Sequence, residues 1–88
     1  MRFLVLCRPR PGVTREQIAP HGPDEMAALQ ALKAGGGLLE AYSPGGPGAV
    51  LIFAGERPSV DAALASLPLV EAELIEAEVI ELHPFPGF

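Results

Sequence analysis

Few side chains in this 88-residue chain are equipped for chemistry, and they fall in a handful of places. His21 stands between Pro20 and Pro23, where an imidazole is a general acid or base or, more simply, a solvated loop residue. Glu40 and Tyr42 are two apart on one strand and so share a face. An acid beside a phenol would floor a substrate pocket; at a subunit interface Glu40 would instead pair with an arginine and Tyr42 would pack. Arg8 and Arg2 could grip a substrate carboxylate or bridge to glutamates near the other end of the chain. Asp24 and Glu25 fall in the first turn of a helix, where carboxylates complement the dipole. His83, before Pro84, reads as a strand-end residue.

Other chemistries lack their residues. The two histidines are far apart and nothing resembles His-x-x-x-His, so no metal site is expected. Ser43, Ser59 and Ser66 read as loop, cap and helix residues rather than members of a nucleophilic triad. The glycines around Gly45 join two strands and no Gly-Lys-Ser/Thr follows them, which argues against a phosphate loop. Cys7, the single cysteine, cannot form an intrachain disulfide and reads as a small buried hydrophobe. A formal charge of −5, with no extended basic patch, argues against nucleic acid as a partner. No apolar run approaches the roughly 18 residues of a membrane span, so no membrane partner is expected. The chain starts directly on a strand without a signal-peptide layout, and a reducing cytoplasm is the expected compartment.

These residues must be held by a small scaffold. The length suits one domain over residues 1–88. Arg2 to Arg8 alternates as a strand, with Phe3, Val5 and Cys7 facing one way and Leu4 and Leu6 the other. Thr14-Arg15-Glu16-Gln17 matches a capping box and predicts a short helical turn, broken by Pro20 to Pro23. The main helix is expected from Pro23 to about Ala34, with Met26, Leu29 and Leu32 inward, and Gly35-Gly36-Gly37 stops it. Leu38 to Ser43 and Ala49 to Ala54 form a hairpin. A second helix from Pro58 carries Val60, Ala63, Leu64 and Leu67 at amphipathic spacing and should stop at Pro68. The last strand is expected from Ala72 to His83, too long for one small sheet, so that its end would pair with another subunit.

The order β-α-β-β-α-β predicts an α+β, ferredoxin-like domain: a four-stranded antiparallel sheet with two helices on one face. Both faces of each strand carry apolar residues, and 49% of the chain is hydrophobic, so a partner sheet from a second copy is expected to cover the open face. Four of six basic residues lie in the first 15 positions and five glutamates in the last 18, which neighbouring terminal strands would neutralise. Leu69 and Phe85 are expected interface corners.

The run Pro58-Ser59-Val60-Asp61-Ala62, then Leu67-Pro68-Leu69, then an alternating strand closing on His83-Pro84, resembles muconolactone isomerase. So does Asp24-Glu25 at a helix start, followed by Gly36 and a strand with Tyr42. Leu67-Pro68-Leu69-Val70 and Pro84-Phe85 are similar also to the related YciI-like proteins. The resemblance spans nearly the whole chain. It implies a dimeric α/β barrel, often in a larger ring such as a decamer, and cofactor-free proton transfer on an unsaturated lactone. It also implies that Glu25 is the proton carrier; from the residues themselves, His21 or Arg8 is expected to assist it, and Glu40 and Tyr42 to stand at the substrate. Gly22 stands where the isomerase has a lysine, and Glu40 lies on a strand that is more basic there, so a lactone carboxylate lacks an expected cationic partner. In the YciI-like proteins an acid pairs with a histidine, and Ala34 falls close to that acid's place.

Two expectations from different classes follow. An isomerase-like protein acting on a small lactone or organic acid places Glu25 in a pocket. A non-catalytic ligand-binding or assembly module leaves Glu25 exposed and bonded only to its own helix, with no cavity beneath. A cofactor-free monooxygenase of the same architecture is a third option.

Overall fold

The computed structural model describes residues 1–88. Strand β1 (Arg2–Pro9) lies between β3 (Ala49–Ala54) and β4 (Ile75–Leu82), and β2 (Leu38–Tyr42) borders β3, giving the antiparallel order β2-β3-β1-β4. Helix α2 (Gly22–Ala34) joins β1 to β2 and α3 (Arg57–Ala65) joins β3 to β4. Two one-turn helices, α1 (Arg15–Ile18) and α4 (Pro68–Glu71), complete the expected α+β, ferredoxin-like arrangement.

Alternation divides the sheet into two faces. Phe3 opposes Phe53 and Val5 opposes Leu51 across β1 and β3, and all four are at most 1% exposed. They pack with Val60, Leu64 and Leu67, the apolar stripe of α3 and its exit, each of which contributes roughly 1.5–3 kcal/mol by leaving water. Leu29 and Leu32 of α2 pack on the same cluster. The other face carries Leu4, Leu6, Val50 and Ile52, only partly buried, and Ile80 and Tyr42, exposed at 40% and 55%. Only 11 of 88 residues are buried.

Several local expectations change. The chain from Thr14 does not break at the prolines. Thr14 caps α1 in a capping box with Gln17, a 3-10 turn over Ala19–His21 follows, and α2 begins directly at Gly22 with Pro23 in its first turn. Proline in a first turn lacks only an N–H that would have no helical partner, so it extends the run instead of ending it. Met26 is 56% exposed; the inward side of α2 is Glu25, Ala28, Leu29 and Leu32. Pro68 likewise starts α4 rather than simply ending α3.

Helix α4 closes in a Schellman motif: the Leu74 N–H donates to the Leu69 carbonyl and the Glu73 N–H to the Val70 carbonyl, both at 3.0 Å. Those residues shorten β4 to eight, and all eight pair with β1, so no overhang is left for a neighbour. A β-bulge between Leu38 and Glu40 puts Leu38 and Ala41 on the helix side, while Glu40 and Tyr42 face away. Strict alternation would have placed Leu38 with Glu40. Leu69, expected at an interface, is 9% exposed within its own chain, whereas Phe85 is 73% exposed.

Candidate functional site

Glu25 lies one turn into α2, four residues before Leu29 and seven before Leu32, so its side chain projects with the core-facing stripe. Its carboxylate accepts a hydrogen bond from the Leu69 backbone N–H at 3.0 Å. Leu69 is in the first turn of α4, where an amide has no partner within the helix. A side chain from the first half of the chain thus completes a helix in the second. This carboxylate is partly buried and anchored across 44 residues of sequence.

Beneath it is a cavity of about 150 Å³ between sheet and helices. Cys7, Ala49, Leu51 and Ile75 line it from the sheet, and Ile18, Leu29 and Leu69 from the helices. Gly48 admits the close approach of the β2–β3 loop to β1. A methyl group there would stand 2.4 Å from the Cys7 carbonyl oxygen, and its φ of +111° is unfavourable for other residues. The Cys7 thiol is 4% exposed. Burial, and then the Glu25 charge, push its pKa up to about 11, so it faces the cavity as a neutral thiol.

The remaining candidates are not brought to this cavity. His21 borders a separate hollow of about 240 Å³ with Pro68, Glu71 and Ala72. Arg8 points to the opposite face of the sheet, where it pairs with Glu78 at 3.2 Å. Both side chains are 54% exposed, and such a pair adds little stability. Arg8 therefore follows the expectation of bridging to the C-terminal glutamates. Glu40 and Tyr42 also face away from Glu25 and bond to each other through the phenol and a carboxylate oxygen. That bond, with the charge of Glu40, raises the Tyr42 phenol above its ordinary pKa. His83 pairs with Glu81 at 2.9 Å at the end of β4. Of the five expected site residues, only Glu25 lines the cavity. Its other walls were not singled out by sequence as site residues; Cys7, through its alternation with Phe3 and Val5, and Leu29, on the expected inward side of α2, carried a signal only as core positions.

The arrangement departs from that of a first-turn glutamate serving only its own helix. The Glu25 carboxylate is held at one oxygen and stands over a small apolar cavity.

Similarity to solved structures agrees with the architecture. Muconolactone isomerase superposes with a TM-score of 0.76 over 100% of this chain and 94% of its own, at 20% identity. The chain has a muconolactone isomerase-like fold. The 5-chloro-2-hydroxyhydroquinone dehydrochlorinase TftG from Burkholderia phenoliruptrix AC1100, solved with 2,5-dihydroxybenzoquinone, superposes at 0.75 over 94% of each chain, at 22% identity. No protein-family model matches the sequence, and a sequence comparison with curated proteins found no match. At these identities the likeness speaks for the fold. No helix is long and apolar enough to cross a membrane.

Proposed function

We propose that this protein is a cofactor-independent, isomerase-like catalyst that transfers a proton on a small unsaturated ring compound, with Glu25 as the proton carrier. The observation that carries this reading is the anchored Glu25 carboxylate over the 150 Å³ cavity. One Glu25 oxygen is committed to the Leu69 N–H, which fixes the orientation of the carboxyl group and leaves the second oxygen for substrate. In the proposed cycle, Glu25 takes a proton from a carbon next to the ring carbonyl. The electron pair moves into the conjugated system, and the same carboxyl group returns the proton to another carbon. Apolar walls exclude water, which keeps the proton on that path. The two structural neighbours, named for a lactone isomerisation and for dehydrochlorination of a ring compound, are compatible with ring chemistry on this fold.

The test is proton exchange. Simple butenolides and related uncharged unsaturated lactones are incubated with the protein in deuterated water and followed by NMR. Deuterium should enter the carbon beside the carbonyl with wild-type protein and not with Glu25→Gln. Exchange that persists in the variant removes Glu25 from the mechanism.

The same reading includes a second copy of the chain across the open sheet face, where Leu4, Leu6, Val50, Ile52 and Ile80 form an apolar surface. Ile52→Lys should then reduce the mass found by light scattering to that of a single chain. An unchanged mass would place any interface elsewhere.

A further inference from the structure

The charge and size of the Glu25 cavity restrict what it can hold. Its ten lining residues include one charged side chain, the Glu25 carboxylate, and no arginine, lysine or histidine. Three of the chain's cations are engaged elsewhere: Arg8 with Glu78 on the opposite sheet face, Lys33 with the Leu39 carbonyl and Arg57 with Asp61. Cys7 adds no charge, since its thiol stays protonated until well above neutral pH. A cavity of about 150 Å³ with apolar walls has the capacity for a single ring of benzene size. An anionic ligand there would meet a like charge in a poorly hydrated space with nothing opposite to balance it.

We infer that the Glu25 cavity selects uncharged, single-ring molecules that present a hydrogen-bond donor or an acidic C–H to the carboxylate, and rejects ring carboxylates of the same size. The inference rests on the reading of this cavity as the reaction site and narrows its substrates from lactones and organic acids to the uncharged members. The selection comes from Glu25 itself: it attracts the donor and repels the anion.

Three ring compounds of similar size distinguish the possibilities: hydroquinone and 2(5H)-furanone, both uncharged at neutral pH, and 2-furoate, an anion. Binding is read from chemical-shift changes of the Leu29, Leu69 and Ile75 methyl groups, on wild type and on Glu25→Gln, with a thermal melt confirming that the variant is folded. The uncharged rings should shift these methyls, and 2-furoate should bind about 10- to 100-fold more weakly to wild type. In Glu25→Gln that gap should close, because 2-furoate gains affinity. If 2-furoate binds wild type as well as the uncharged rings do, charge selection is overturned while the cavity remains the binding site. If none of the three moves the cavity methyls, both the selection and the reading of this cavity as the reaction site fall. If the gap persists in Glu25→Gln, Glu25 is not its source and the inference fails on that point alone.

Discussion

Glu25 has two separable duties, and paired substitutions should pull them apart. In Glu25→Ala the Leu69 N–H loses the acceptor that stands 3.0 Å away. Leu69 is 9% exposed, and the short helix in whose first turn it lies offers that amide no other acceptor. A hydrogen bond to a charged group contributes about 1.5–3 kcal/mol, and partial exposure of the carboxylate moves the expectation to about 1–2 kcal/mol. For a domain of this size each kcal/mol lowers the melting temperature by about 4–8 °C, so Glu25→Ala should melt about 4–16 °C below wild type. Glu25→Gln keeps an amide oxygen that can accept from Leu69 and should lose no more than about 1 kcal/mol. Both variants lack the carboxylate, so both should lose proton exchange on the ring substrate. Thermal unfolding by circular dichroism gives the stabilities, and hydrogen exchange at the Leu69 amide reports the bond directly. Protection of that amide should fall in Glu25→Ala and persist in Glu25→Gln. The reasoning would be refuted if Glu25→Ala kept wild-type stability and Leu69 protection, since the carboxylate would then not be anchored as described.

Three further outcomes follow from the backbone and the core. Gly48→Ala places a methyl 2.4 Å from the Cys7 carbonyl at a φ of +111°, and the backbone conformation alone should cost about 1–3 kcal/mol in chemical denaturation; a neutral result would mean that the loop can withdraw from β1. Glu73 holds φ +59° at the end of α4, where glycine is the preferred residue, so Glu73→Gly should raise stability by about 0.5–1 kcal/mol, and a lowered melting temperature would contradict this. Cys7 has a folded pKa of about 11 against 9.0 unfolded, so between these values the folded state holds the extra proton and stability falls as pH rises. The loss should approach about 2–3 kcal/mol by pH 11 and be absent from the pH slope of Cys7→Ala; identical slopes would show that the thiol does not titrate from its buried position.

The sequence by itself determined the order of elements, the inward set of β1, the capping box at Thr14 and the apolar stripe of α3. Each depends on residues within a few positions of one another: strand alternation, a 3.6-residue period, or a side chain closing on an amide three residues away. Helix α2 was harder to orient, because Met26 and Glu25 are adjacent and both flank Leu29, so periodicity alone did not decide which side turns inward. Only the packing of α2 against the sheet and α4 chose Glu25. The bulge after Leu38 turned Glu40 and Tyr42 away from the helices, and the pairing of β1 with β4 carried Arg8 to Glu78 on that same outer face. The cavity is likewise a tertiary product. It needs the Gly48 turn against Cys7, the Leu69 end of α4 and the inner face of α2 to converge, and the bond that orients its carboxylate joins residues 44 positions apart. Local patterns specify elements because their forces act between near neighbours. The site depended on sheet register and helix packing, which exist only when distant segments meet.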